Sequence, residues 1–339
     1  MLNHFEHIAK HIYHIIQASG SVLLIPHQKP DGDALGSTTA FAEWLARIGK
    51  NYTIFCKTDY QKNFSYIPHT NEITSDIKIW EKPFDTIVVF DSGDLRYAGV
   101  DALIQNHVAK HNTMIDGVRD IKIINIDHHA TNEMYGTSNL VATHFSSTCE
   151  AVYQFLSLNG ISINANMATS LLTGIITDTD HFTNSATSST ALETASILMG
   201  KSGKHRHIKE TIYNNTSLQA FGLWGVVFER LSKNTEFDIV CTYVTKEDLQ
   251  KFHVTETESE GMANFLNTIA EGKAAVILKE TEPNKWKGSF RTTKDTVDVA
   301  RIAKALGGGG HKKAAGFSRE GTREQAFEQI FQVMRDLEF

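Results

Sequence analysis

The sequence predicts an α/β fold in two domains, and three observations carry that expectation. At 339 residues the chain is about two domains long, taking roughly 150 residues for each. In its first half, short apolar runs that read as buried strands alternate with helical patterns, the order of a mainly parallel sheet. The charge then divides the chain. Residues 230–339 carry 17 basic and 17 acidic side chains, leaving 16 basic and 22 acidic ones before them, so the net charge of −6 lies entirely in the first part. We expect a mainly parallel-sheet domain over 1–190, a helical connector over 191–232 and a smaller α/β domain with a mixed sheet over 233–339. The working cleft is expected between the two domains.

Val22-Leu23-Leu24-Ile25 reads as the first strand and ends at Pro26-His27-Gln28-Lys29-Pro30-Asp31-Gly32-Asp33. Leu35, Thr39, Ala42, Leu45 and Ile48 follow at helical spacing, Gly49 sits where a C-terminal cap belongs, and Tyr52–Cys56 reads as a second strand. Two further apolar strands, Thr86–Phe90 and Lys122–Ile126, stop abruptly at Asp91 and Asp127. Helices dominate after that. Ser147-x-x-Glu150 offers a capping box, the apolar stripe Met167–Ile176 leads into Asp178, and another helix starts near Thr190. Leu218 to Leu231 form a helical stripe, with the domain boundary just beyond it. Asp238–Val244, Ala274–Leu278 and Trp286–Arg291 read as strands of the second domain, Ala300–Leu306 as a helix ending at a glycine run, and Phe327–Leu337 as a final amphipathic helix.

Composition excludes several function classes. With 41% hydrophobic residues and low net charge the chain is globular rather than disordered. No apolar run approaches the roughly 18 residues of a membrane span, and the N-terminus lacks a secretory pattern, so a cytoplasmic protein is expected, with no membrane partner. Cys56, Cys149 and Cys241 are widely spaced, which supports neither a disulfide framework nor a thiolate zinc site. Any metal must be held by His and carboxylate. An acidic first domain has no broad basic face for long duplex nucleic acid, and a phosphorylated substrate there needs imported cations.

Four clusters carry chemistry. In open parallel sheets, ligands bind beyond the carboxyl ends of the strands, so charged groups ending separate strands converge although distant in sequence. His27-x3-Asp31-x-Asp33 puts one imidazole and two carboxylates into a strand-to-helix turn, where Asp31 and Asp33 can each reach one of two cations. Asp33 is also placed to cap the following helix. Asp91 and the run Asp127-His128-His129 end two further strands. Adjacent residues leaving a strand face opposite sides, so His128 and His129 are expected to divide roles, one as ligand and one as donor to a substrate phosphate, with Asp127 orienting an imidazole. Asp178 ends an apolar helix. Arg96, near Asp91, is expected in a surface salt bridge.

In order along the chain, His27-x3-Asp31-Gly32-Asp33-Ala34-Leu35-Gly36-Ser37, Asp91, Asp127-His128-His129 and Asp178 resemble the four motifs of the DHH phosphoesterase family. Gly308-Gly309-Gly310-His311-Lys312-Lys313-Ala314-Ala315-Gly316 looks like the glycine-rich signature of that family's associated C-terminal domain, and Ser289-Phe290-Arg291-Thr292 matches its Arg-bearing strand. The resemblance implies one metal held by His27, Asp31 and Asp91 and a second by Asp33, Asp91, His128 and Asp178, with Asp91 bridging. It implies that His129 contacts the scissile phosphate and that the second domain grips the nucleotide through Arg291, Gly308, Gly309, Gly310 and His311. Backbone N–H groups of side-chain-free residues approach a phosphate closely. As a loop, the same glycines would serve only as a helix end and a flexible connection.

The resemblance further implies a two-metal phosphohydrolase of the compact branch that degrades very short RNAs to mononucleotides and removes the 3′-phosphate of pAp (3′-phosphoadenosine 5′-phosphate). Mixed His/carboxylate ligation suits Mn²⁺ better than Mg²⁺, while zinc and cobalt remain compatible with the residue types. A homodimer is compatible with it as well. The enzyme alternatives are an inorganic pyrophosphatase or exopolyphosphatase and a cyclic-dinucleotide phosphodiesterase; the non-enzyme alternative is a nucleotide-binding regulatory protein. The chain departs from the branch after the fourth motif, where Asp178-Thr179-Asp180-His181 stands in place of an Asp followed by Arg.

Overall fold

Successive residues of a strand face opposite sides of its sheet, and the central strands of this chain are apolar at consecutive positions because both sides are covered. Val22, Leu24, Val88, Phe90, Ile124 and Ile126 pack into one core, while Leu23, Ile25, Ile87 and Val89 pack into another. The computed structural model describes residues 2–111, 121–202, 204–213, 217–255, 262–266, 269 and 271–339. The chain divides into two compact units, residues 1–214 and 215–339.

The first unit runs α1 (Leu2–Ala18), β1 (Val22–Pro26), α2 (Gly32–Arg47), β2 (Tyr52–Phe55), β3 (Ile73–Thr74), β4 (Thr86–Phe90), α3 (Asp101–His111), β5 (Lys122–Asp127), β6 (Ser138–Val141), α4 (Thr148–Leu158), α5 (Ala165–Asp178), α6 (Ser189–Ser202) and α7 (His205–Tyr213). Its six strands are all parallel, in the order β3-β2-β1-β4-β5-β6. The chain fills one half of the sheet outward from β1 and then the other outward from β4, so the order switches between β1 and β4. Phe41 and Trp44 of α2, Phe155 of α4 and Leu171 of α5 cover one face; Trp80, Phe84 and Ile104 cover the other. The edge strands β3 and β6 are two and four residues long, too short for a periodic signal in the sequence.

The second unit runs α8 (Leu218–Glu229), β7 (Ser232–Asn234), β8 (Ile239–Val244), α9 (Lys246–Lys251), α10 (Met262–Phe265), β9 (Ala274–Glu282), β10 (Lys285–Arg291), α11 (Val299–Ala305), β11 (Gly309–His311), β12 (Ala314–Glu320) and α12 (Arg323–Asp336). Its sheet has the order β11-β12-β10-β9-β8-β7, in which β8 and β9 are parallel and the other pairs antiparallel. The expected two-domain α/β architecture, with a parallel first sheet and a mixed second one, is observed. The glycine run is not a flexible loop. Gly307 ends α11 with a positive φ of 72°, the N–H groups of Gly307 and Gly308 donate to the carbonyls of Lys304 and Ala303, and the chain enters β11 at the sheet edge.

Candidate metal centre

The switch between β1 and β4 decides where the chemistry sits. β1, β4 and β5 are neighbours, and their carboxyl ends deliver His27, Asp91 and Asp127 to one crevice. Asp31 caps α2, its carboxylate accepting from the N–H groups of Asp33 and Ala34 at 3.0 Å each. Asp33 is therefore not the cap. It is fully buried and accepts instead from the N–H of Thr148 at 2.6 Å and of Cys149 at 2.8 Å, the first turn of α4. Donor groups at a helix N-terminus favour an anion there. Asp178 reaches the same place because α2 and α5 pack almost backbone to backbone: a Cβ on Gly174 would lie 2.6 Å from Asp33 Oδ1, and one on Gly32 would lie 2.5 Å from Thr177 Oγ1.

Three sets of ligand atoms each lie within 4.8 Å of one another: His27, Asp31 and Asp91; Asp33, His128 and Asp178; and Asp91, His128 and His129. His27 Nε2 is 3.6 Å from Asp91 Oδ2 and 3.8 Å from Asp31 Oδ1. Its Nδ1 donates to the Gln28 carbonyl at 2.9 Å, which fixes the ring's orientation and leaves Nε2 facing the carboxylates. His128 Nε2 is 3.2 Å from Asp178 Oδ2, 3.8 Å from Asp91 Oδ1 and 3.9 Å from Asp33 Oδ2, yet is buried without an aligned hydrogen bond. A buried nitrogen facing three carboxylates fits a cation ligand. Asp91 itself adopts a positive φ of 54° and is held by Thr148 Oγ1, which donates to its Oδ1 at 2.9 Å.

The electrostatics agree with that fit. Burial pushes the Asp91 carboxyl up to about 7, with Asp31 and Asp178 adding to it, and burial likewise raises Asp33 and Asp178. Burial alone would lower His27, but Asp31 and Asp91 outweigh it and hold the imidazole at about 9; for His128, Asp178, Asp33 and Asp91 do the same, to about 10. Asp31 stays below its ordinary value because His27 offsets its burial. Carboxyls that resist ionisation beside imidazoles that attract protons describe an anionic cluster short of positive charge. Mixed nitrogen and oxygen donors on both sides of Asp91, with His27 near its Oδ2 and His128 near its Oδ1, suit a pair of divalent ions.

Asp127 stands one layer back. It accepts from His129 Nδ1 and the His128 N–H at 2.8 Å each and from Asn132 Nδ2 at 2.5 Å, and these partners keep it below the usual carboxylate range despite burial. His129, also 3.6 Å from Asp91 Oδ1, is thereby oriented. The strand alternation argument for His128 and His129 does not hold. β5 ends at Asp127, the two histidines lie in the following loop, and their rings, 4.4 Å apart, both turn toward Asp91. Arg96 pairs with Glu133 at 2.9 Å. Thr148 and Cys149, whose N–H groups seat Asp33, were not singled out from sequence. Their signal was Ser147-x-x-Glu150: Ser147 does cap α4, while Glu150 accepts from Ser146 rather than closing the box.

In the second unit, register aligns Arg291 on β10 with Ala314 on β12, and Ala314 with His311 on β11, one row across three strands. The half-buried Arg291 donates to the Phe290 carbonyl at 2.9 Å. Gly308 and Gly310 are needed for packing, since a Cβ on either would lie 2.1 Å from the Gly316 carbonyl oxygen or 2.6 Å from Ala315 Cα; a Cβ on Gly309 would meet nothing within 4 Å.

Comparison with known proteins accords with this geometry. Residues 21–175 match the DHH family N-terminal domain and residues 238–337 match the DHHA1 domain. A bifunctional oligoribonuclease and PAP phosphatase NrnA of Thermus thermophilus is 27% identical over 319 residues, covering 94% of this chain and 90% of the relative. The protein of the same name from Bacillus subtilis is 24% identical, covering 94% of each. The crystal structure of an exopolyphosphatase-related protein from Bacteroides fragilis shares the fold at a TM-score of 0.85 and 24% identity, covering 98% of this chain and 97% of that one. With both matched domains present in order and relatives alike over nearly its full length, the chain belongs to the DHH family, in the form that joins the family's N-terminal domain to a DHHA1 domain.

Proposed function

We propose that the chain is a two-metal phosphohydrolase that degrades short oligoribonucleotides to mononucleotides and removes the 3′-phosphate of pAp. The observation that carries this is Asp91 lying between two groups of ligand atoms, with His27 at 3.6 Å from its Oδ2 and His128, which sits in a set with Asp33 and Asp178, at 3.8 Å from its Oδ1, in a chain whose curated relatives bear the oligoribonuclease and PAP phosphatase name. His27, Asp31 and Asp91 would hold one ion and Asp33, Asp91, His128 and Asp178 the other, with Mn²⁺ the cation best suited to these donors. Such a pair, when bound, activates water at neutral pH and offsets charge on the phosphoryl oxygens. The protein's own part is to fix the donors: Asp33 on the N–H groups of α4, Asp91 on the Thr148 hydroxyl, His27 on the Gln28 carbonyl. His129, whose Nδ1 is bonded to Asp127, would donate to the substrate phosphate. Residues 1–190 would perform hydrolysis, 191–232 connect, and 233–339 bind the nucleotide through Arg291, Gly308, Gly309, Gly310 and His311. No described helix is long and apolar enough to cross a membrane, and we place the enzyme in the cytoplasm.

The test is a panel of pAp, di- to pentaribonucleotides, cyclic dinucleotides and pyrophosphate, offered to metal-stripped protein with and without Mn²⁺. Mn²⁺-dependent release of mononucleotides and of phosphate from pAp is expected, and Asp91→Asn should abolish both while leaving the fold intact. Turnover of pyrophosphate alone, or undiminished turnover by Asp91→Asn, would overturn the proposal.

A further inference from the structure

Beside the cluster stands an aromatic ring that the hydrolytic roles do not use. Tyr97 is 52% exposed, although it lies between Leu95, packed on the second core of its unit, and the fully buried Ala98. Its ring centroid is 4.9 Å from that of His27, with the planes tilted by 40°, and His27 is its sole ring partner among the described residues. The segment that carries it is fixed. Asp94 accepts from the N–H groups of Arg96 and Tyr97 at 2.7 and 2.8 Å, the Ala98 N–H donates to the Asp94 carbonyl and the Val100 N–H to the Leu95 carbonyl. Burial, then Asp31 and Asp91, raises the Tyr97 phenol, so the side chain stands within the field of the cluster.

An exposed aromatic side chain leaves apolar surface in water unless something covers it. Here one side of the ring lies against His27, and the remainder is open next to the carboxylates that would hold the phosphate-binding cations. A nucleobase has two apolar faces and tolerates any aromatic platform, which makes stacking insensitive to sequence. The acidic surroundings disfavour an anionic occupant on the ring itself, whereas a base is uncharged. We infer that Tyr97 is a specificity-determining residue that stacks the nucleobase of the nucleotide whose phosphate lies on the cluster. The inference rests on the phosphoesterase reading for the position of that phosphate. Tyr97 then separates nucleotides from base-free phosphates without choosing among the four bases.

Equilibrium binding tests it independently of turnover. Mn²⁺-loaded protein is titrated calorimetrically with 5′-AMP and with ribose 5-phosphate, in which a C1 hydroxyl stands in place of the base. Wild type and Tyr97→Phe should prefer AMP about tenfold, and Tyr97→Ala and Tyr97→Leu should bind the two alike, with unchanged affinity for ribose 5-phosphate. Tyr97→Leu keeps bulk against His27 and guards against a packing artefact. A preference that survives in both variants, no preference in wild type, or an equal loss of both ligands accompanied by lost Mn²⁺ would overturn the inference, the last because the ring would then act only through His27. A base preference carried by Tyr97 in a protein that hydrolyses nothing would instead sink the phosphoesterase proposal and leave the stacking role standing.

Discussion

Thr148 Oγ1 donates a hydrogen bond to Asp91 Oδ1 at 2.9 Å, across 57 residues of sequence, while the Thr148 N–H holds Asp33 at 2.6 Å. One residue at the start of α4 thus fixes a carboxylate at the end of β4 and another in the first turn of α2. Removing the hydroxyl frees Asp91 to rotate without creating a cavity, because valine has nearly the same shape. For Thr148→Val we expect Mn²⁺ half-saturation of activity to rise about 10- to 100-fold, the range for lost partners of metal ligands, with the metal-free Tm close to wild type. An unchanged Mn²⁺ requirement would remove the hydroxyl from the site.

Asp127 has both oxygens occupied by donors, so Asp127→Asn turns one acceptor into a competing donor facing His129 or Asn132. The expected result is a fall in kcat of about 10- to 100-fold with KM and bound metal nearly unchanged. A parallel loss of metal would instead show that Asp127 supports the ligands rather than His129.

A second ionic group should shape stability against pH. His69 Nε2 lies 2.7 Å from Glu43 Oε2 and its Nδ1 2.7 Å from Glu72 Oε1. Burial works against the charge on His69, but Glu43 and Glu72 outweigh it and raise the imidazole; Glu43, bonded by His69, Asn164 and Asn166, is held below its ordinary value despite burial. With its folded pKa raised, His69 contributes stability that is complete below about pH 6.5 and is lost as pH rises through the folded value. Glu43 contributes above about pH 4.5 and loses it as pH falls through its lowered value. The clamp is strongest between those limits. His69→Gln should cost about 1 kcal/mol near pH 6, or about 2–4 °C in Tm, and the difference should shrink as pH rises through the raised value of His69. A Tm difference that does not shrink as pH rises from 6 into the alkaline range would refute the charged clamp.

The three glycines at the second sheet's edge should separate in function. Gly308→Ala puts a methyl group 2.1 Å from the Gly316 carbonyl oxygen and should cost about 1–3 kcal/mol by overpacking. Gly309→Ala meets no protein atom and should leave denaturant unfolding unchanged. If the run grips phosphate, Gly309→Ala should weaken binding of pAp; equal affinities in folded Gly309→Ala and wild type would leave these glycines a structural role alone.

Much of this was written in the chain itself. Val22–Ile25, Ile87–Phe90 and Ile123–Ile126 are almost continuously apolar, broken only by Asn125, because both faces of the sheet are covered, and that continuity marked them as central parallel strands. Polar residues placed directly after such strands marked the site, since only strand ends of a parallel sheet bring distant positions together. What the sequence could not fix were features set by contacts made elsewhere. Edge strands of two and four residues, β3 and β6, exist only through pairing with β2 and β5. Asp31, not Asp33, caps α2 because the first turn of α4 and Gly174 claim the Asp33 side chain. His128 and His129 share a direction because the chain leaves the strand at Asp127, and alternation lapses with the ladder. The sequence by itself determined which residue types meet, through the period of its apolar runs; tertiary packing alone decided which oxygen each faces, because that depends on how closely two helices approach.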